Sequence, residues 1–231
     1  MLPRVNRAGR AHERSSTRSS TSWGRAARFY HLQVMLERPA LRAAVDLSLL
    51  NASDRLLDLG VGTGAVEEEL VTARRIARLT VGIDLSREML AQASRRCRCY
   101  LMQADATALP LPEACIDVTI AAYLLHLLDH PARARALKEV GRVLRPGGRL
   151  VVVTPYYGGG RLASILSRFG EGFSGVISGL RPLDPRRALA SAGFEVTDVR
   201  HVRSGYPSLC VSAVRSGADL LPKVNRSAAR A

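Results

Sequence analysis

A chain of 231 residues with 47% apolar content can bury one substantial core and is too hydrophobic for wholesale disorder. No apolar run approaches the roughly 20 residues that a membrane-spanning helix needs, so a soluble protein is expected. Four cysteines are too few for a disulfide scaffold at this length, which predicts buried free thiols and a cytoplasmic setting.

The net charge of +14 is concentrated at the two ends. Residues 1–28 hold seven arginines against Glu13 and read as a basic, solvated tail. This tail is Ser/Arg-rich, as organellar transit peptides are, but it lacks a clear apolar face. No apolar h-region follows its first arginines, which argues against a secretory signal. Residues 29–214 are expected to form one domain. Within 29–50, apolar residues recur at helical spacing (Phe29, Leu32, Met35, Leu36, then Leu41, Val45, Leu49), and Pro39 predicts two helices parted at Arg38–Pro39.

From residue 55, apolar strand-like runs at 55–59, 79–84, 99–103, 116–122 and 149–154 alternate with helical stretches at 64–77, 86–96 and 131–144. Strands apolar almost throughout and spaced by helices predict a parallel sheet covered on both faces. Ser86 is placed to cap the second of these helices, Pro131 suits a first helical position, and Pro146-Gly147-Gly148 stops the third. Cys97 and Cys99, two apart, would share one face of a strand. That spacing is foreign to the usual zinc pairs and no histidine cluster completes a site, so no metal is expected.

A last helix is marked by Asp184 as N-cap, Pro185 in its first turn and Gly193 just past its end. Two β-rich runs follow, 194–202 and 208–214, joined by Ser204-Gly205-Tyr206-Pro207. The fold expected is therefore α/β, Rossmann-like and doubly wound, with a mostly parallel seven-stranded sheet that ends in a C-terminal β-hairpin. Such a sheet places its ligand crevice at the carboxyl ends of the strands. Residues 215–231 form a second basic tail, with Arg215, Lys223, Arg226 and Arg230 against Asp219. Basic tails of this kind can hold nucleic acid or an acidic partner without reading sequence.

The segment that carries chemistry is Leu56-Leu57-Asp58-Leu59-Gly60-Val61-Gly62-Thr63-Gly64, a buried strand running into three alternate glycines and then a helix. Glycine there lets the backbone turn tightly and lets a ligand approach the main chain. The unpaired amides at the helix start suit a carboxylate or phosphate. Acids are placed to match: Asp58 closes the first strand, Asp84 the second, and Asp105 follows the third. A carboxylate at the second strand end can accept from both ribose hydroxyls of an adenosyl group, and Asp105 is placed to accept from an adenine amino group. Three acids closing three successive parallel strands point to a single crevice.

In these residues the chain resembles class I S-adenosylmethionine-dependent methyltransferases, in the group that includes the ubiquinone/menaquinone-biosynthesis C-methyltransferases. The matching stretches are Asp58-Leu-Gly60-Val-Gly62-Thr-Gly64, Gly82-Ile-Asp84, Ala104-Asp105-Ala106, Leu109-Pro110-Leu111-Pro112, Ile116-Asp117-Val118 and Leu144-Arg145-Pro146-Gly147-Gly148-Arg149-Leu150. The resemblance implies that Gly60, Gly62 and Gly64 line the methionine part of S-adenosylmethionine, with Asp58 shaping the loop. It implies Asp84 on the ribose, Asp105 and Ala106 on the adenine, and Leu85 packed on the adenine face. It divides the domain into a helical lid (29–50), a cofactor half (51–155) and an acceptor half (156–214).

Methyl transfer from a sulfonium is an in-line displacement that needs alignment and exclusion of water. A base is required only if the acceptor must lose a proton. Candidates are His126 and Tyr123 after the fourth strand, with Tyr156, Tyr157, Tyr30 and His31 on the acceptor side. The segment 155–183 is short, glycine-rich and poor in charge, which favours a small or apolar acceptor: quinone-type, phenolic or lipid-amine. Two alternatives stay open. A non-catalytic adenosyl-binding or nucleic-acid-associated protein would keep the same glycine loop. An NAD(P)-dependent oxidoreductase fits the glycines but not Asp58 or the Asp105-Ala106 pair, and the chain has no Tyr-x-x-x-Lys pair.

Overall fold

The computed structural model describes residues 35–156 and 182–216. A helix over 35–47 (α1) leads into the strand Arg55–Leu59 (β1). Then come Ala65–Thr72 (α2), Leu79–Asp84 (β2), Arg87–Ala93 (α3), Tyr100–Gln103 (β3), Ile116–Ala122 (β4), His130–Val143 (α4) and Leu144–Pro155 (β5). Arg186–Ser191 (α5), Phe194–Val202 (β6) and Ser208–Arg215 (β7) complete the described chain.

The strands form one seven-stranded sheet in the order β3-β2-β1-β4-β5-β7-β6. β1 to β5 pair in parallel, and β7 inserts antiparallel between β5 and β6. The expected doubly wound sheet with its terminal hairpin is therefore present. From β1 the chain steps outward through β2 to β3 and then returns to place β4 on the other side of β1, so the winding reverses between β1 and β4. Ligand crevices form outside the carboxyl ends of strands at such a reversal.

Alternation along the strands sorts the core into two layers. Leu57 and Leu59 of β1 and Leu150 and Val152 of β5 pack with Leu137 and Val140 of α4 and Leu189 of α5. Leu56 and then Val151 and Val153 face the other way, against Leu41, Ala44 and Val45 of α1 and Val66 and Leu70 of α2. Both faces being covered explains why the strands read as continuous apolar runs. Each fully buried leucine in these layers contributes roughly 1.5–3 kcal/mol.

Local signals hold in most places. Ser86 caps α3 by accepting from the Met89 amide, and Asp129 caps α4 with Pro131 in its first turn. α5 is assigned from Arg186, one residue later than the Asp184 cap implies, yet Asp184 Oδ1 still accepts the Arg186 amide at 3.1 Å. Gly193 follows that helix with φ +82°.

Four expectations need correction. α1 runs unbroken through Pro39, because packing of Ala40, Leu41, Ala44 and Val45 against the sheet outweighs the local bias before a proline. α2 stops at Thr72 rather than 77, with Arg74 in the left-handed region. β5 begins directly at Leu144: pairing with β4 starts at Ile116–Leu144 and resumes, past an irregularity, at Val118–Arg149. Cys97 and Cys99 precede β3 rather than lie on it, and only Cys210 is fully buried among the four free thiols. Among the described residues no helix is long and apolar enough to cross a membrane, and no cluster suited to a metal occurs.

Candidate functional site

A cavity of about 700 Å³ lies at the carboxyl ends of β1, β2, β3 and β4. Gly60, Gly62, Asp84, Leu85, Asp105 and Ala106 are on its wall. Its floor is the loop after β1. The Gly60 and Val61 amides both bond the Ile83 carbonyl, at 2.8 and 3.0 Å, and the Gly64 amide closes a turn on Val61 at 2.9 Å. Gly60, Gly62 and Gly64 have φ of +78°, +54° and +85°, a region in which a Cβ is strained. Gly82 matters for another reason. A Cβ there would meet Val61 and Leu101 at 2.9 Å and lift the loop off β2.

Asp84 is the hub of the cavity. One carboxylate oxygen accepts the Gly62 amide at 2.9 Å, and the other accepts the Ser86 amide at 2.8 Å. An ionised carboxylate has about four acceptor positions, so two remain for hydroxyls in the cavity. Asp105 is exposed at the rim, where Oδ1 accepts the Thr107 amide at 2.8 Å. The hydrogen bonds to Thr107 hold its carboxyl below the ordinary range. Leu85 is 67% exposed, an apolar surface at the mouth. Asp58 is on the opposite face of β1 from Leu57 and Leu59; it is fully buried beneath the loop and is not part of the wall.

The far wall is built by the end of β4. Tyr123 adopts φ +53°, and its hydroxyl is 2.7 Å from the Ser208 hydroxyl of β7. Burial pushes this phenol well above its ordinary pKa. The Tyr206 ring lies 6.1 Å from it, and His126 stands perpendicular at 6.3 Å. His126 is only 6% exposed and lies behind the wall rather than on it. Burial, then the Arg133 charge, lowers its pKa to about 4, so it is neutral at physiological pH with Nδ1 unpartnered. Tyr156 is half-buried beside His201, ring centroids 5.2 Å apart, away from Tyr123. Tyr30, His31 and Tyr157, with most of the segment 155–183, lie outside the described residues.

Some residues of the site were not legible in the sequence. Tyr206 is held beside Tyr123 by its amide, which bonds the Leu36 carbonyl of α1 at 2.7 Å, and Gly205 has no room for a Cβ against that same carbonyl. Glu37 and Leu41 of α1 and Met89 of α3 line the cavity. A larger groove of about 1300 Å³ between α4 and α5 holds none of the expected site residues. Its Arg142 is tied to Glu139 and to the Leu109 and Leu111 carbonyls, and Arg133 to those of Leu125 and Leu128. These cations serve the fold, so size alone does not make that groove the site.

The cavity suits an adenosyl ligand on this structure's own terms. Its volume is within the range of small-molecule sites. The glycines leave the main chain bare, and the hub carboxylate has acceptor positions to spare. Sequence comparison agrees. Residues 56–148 match the family model described as "Methyltransferase domain". A demethylmenaquinone methyltransferase of Thermus thermophilus is 42% identical over 118 residues, covering 48% of this chain and 52% of that protein. A 27-O-demethylrifamycin SV methyltransferase of Amycolatopsis mediterranei is 37% identical over 110 residues, covering 45% and 39%. The chain thus spans about half the length, or less, of these curated relatives. Among solved structures, magnesium protoporphyrin IX methyltransferase from Synechocystis PCC 6803, with bound SAH, superposes with a TM-score of 0.65 at 19% identity, over 85% of this chain and 95% of that one. Residues 56–148 thus match a methyltransferase domain by sequence, and the described residues share the fold of a solved methyltransferase.

Proposed function

We propose that the protein transfers the methyl group of S-adenosylmethionine to a small, apolar, quinol-type acceptor. The observation that carries this reading is the single cavity onto which the glycine loop, Asp84 and Asp105 converge. The apolar wall of Leu41, Leu124, Leu127 and Leu128 around Tyr123 favours a flat apolar acceptor over a polyanion. The relatives named for demethylmenaquinone and demethylrifamycin support the same acceptor class.

When bound, the cofactor supplies an already activated methyl group, which leaves alignment and dryness to the protein. In this reading Asp84 holds the ribose, Asp105 and Ala106 the adenine edge, Leu85 the adenine face, and Gly60, Gly62 and Gly64 the amino-acid end. Tyr123 borders the acceptor space with its ring. Its phenol, kept protonated by burial, donates to Ser208 Oγ, whose own proton goes to the Tyr206 carbonyl, so it is not a base. His126, neutral and 6.3 Å from the Tyr123 ring, backs the acceptor wall rather than facing the cavity.

Calorimetric titration with S-adenosylhomocysteine tests the cofactor, with NADH as the competing ligand. Micromolar binding of the first and none of the second is expected. Radiolabelled methyl transfer to a panel of demethylated quinols then tests the acceptor. Preference for NADH would overturn the reading in favour of an oxidoreductase. Cofactor binding without transfer to any acceptor would point to the non-catalytic alternative.

A further inference from the structure

Two acids beneath the glycine loop have no part in the account above. Asp58 ends β1 on the face that α2 covers, and Glu67 stands in the first turn of α2. They are 0% and 7% exposed, and no donor from another described residue bonds any of their four carboxyl oxygens. The two groups act on each other, within hydrogen-bonding reach. Two ionised carboxylates have no donor between them, whereas one retained proton satisfies both. Burial above all, and then the charge of Glu67, pushes Asp58 well above the carboxylate range, and burial pushes Glu67 up as well.

Among the described residues no cation pairs with either acid, and Arg96, after α3, is turned to Glu68. Asp84 at the end of β2 adds a like charge. The thiols of Cys97 and Cys99, ahead of β3, sense both acids, and Cys97 Sγ would lie 3.2 Å from a Cβ on Gly64. From α1, Glu37 lines the cavity, and Arg38 and Arg42 are turned to Glu68 and Glu69. Tyr123 closes the β4 side.

We propose that Asp58 and Glu67 share one proton while the cavity is empty and release it when the positively charged cofactor binds, making Glu67 a positioning residue that couples cofactor affinity to pH. This rests on the methyltransferase reading. S-adenosylmethionine carries a carboxylate, an ammonium and a sulfonium, a net single positive charge, and the buried pair is the anion that answers it across the loop. S-adenosylhomocysteine lacks the sulfonium charge and draws out less of the proton. The pair thereby favours the methyl donor over the spent product.

The test is calorimetry of S-adenosylmethionine binding in phosphate and in Tris at one pH, repeated from pH 6 to 8. A proton released on binding makes the observed heat depend on buffer ionisation, and affinity rises with pH by up to about tenfold per unit. We expect a release approaching about one proton for S-adenosylmethionine and clearly less for S-adenosylhomocysteine. In Glu67→Gln the amide donates permanently to Asp58, so binding persists while the pH slope and the buffer dependence vanish. Wild-type heats independent of buffer would overturn the inference and leave the cofactor reading intact, and need no variant to fold. An unchanged slope in Glu67→Gln would do the same. No binding under any condition would remove the cofactor reading and this inference together.

Discussion

The two ends of the parallel strands treat their acids in opposite ways. At the amino ends, every buried acid named here is held by arginine. Asp54 accepts from Arg149 at 2.6 Å, and Asp117 is bracketed by Arg55 at 3.0 Å and Arg145 at 2.9 Å. At the carboxyl ends, no arginine or lysine pairs with Asp58, Glu67, Asp84 or Asp105 among the described residues. There Asp84 and Asp105 accept loop amides, and Asp58 and Glu67 have one another. An ion pair completed within the protein ties the sheet to its loops. An acid left without a cation keeps its field for a ligand, at a cost in stability that the rest of the core carries. In a chain with net charge +14, that absence of cations around one cavity is a selective arrangement.

Substitutions at each end should separate these roles. Asp84→Ala removes the acceptor of two amides and, on the proposed reading, of the ribose, so S-adenosylhomocysteine affinity should fall at least about 100-fold, on the order of 3 kcal/mol, by calorimetry. Arg149→Met leaves Asp54 buried without its partner, and should lower unfolding free energy in urea by about 3 kcal/mol. The contrast requires that its cofactor affinity stay within about twofold, since the change is at the far end of the strands. If Arg149→Met weakened cofactor binding as much as Asp84→Ala does, the division between the ends would be wrong.

The ends should also differ in the sign of their pH dependence. Asp117 is held low by the Arg55 hydrogen bonds and the Arg145 charge, against the burial that opposes them. Its stabilisation is present above the unfolded carboxylate pKa and is lost as pH falls through the folded value. Asp58 is raised by burial and by Glu67. Its contribution is complete below the unfolded value and is lost as pH rises through the folded one. Urea denaturation of the cofactor-free protein should therefore show Glu67→Gln flattening the alkaline limb, and Asp117→Asn flattening the acid limb. The smallest effect belongs to the exposed rim: Asp105→Asn keeps an acceptor for the Thr107 amide and for an adenine amino group, and should weaken binding by only a few-fold, under about 1 kcal/mol.

Much of this was legible along the chain. Three alternate glycines after an apolar run specify a turn that only glycine tolerates, and continuous apolar runs and helical spacing located nearly every strand and helix. Asp84 and Asp105 were legible together rather than singly, because acids closing three successive parallel strands point to one crevice. The Glu67-Glu68-Glu69 run hid its content. A charge run usually marks a solvated face, yet Glu67 and Glu69 are buried and turn inward. Pro39 misled because local stereochemistry disfavours the residue before proline in a helix, and packing of α1 against the sheet outweighed it.

By itself the sequence determined the order of elements, the parallel sheet with its terminal hairpin, and the end of the sheet at which a ligand would sit. These follow from backbone stereochemistry and hydrophobic periodicity, which act over a few residues. Only the tertiary structure decided which acids are neutralised and which are not. Asp54 meets Arg149, Asp117 meets Arg55 and Arg145, and Tyr206 meets Tyr123 across tens of residues of chain. Electrostatic partners and cavity walls depend on distance in space, and sheet order, not neighbourhood in sequence, sets that distance.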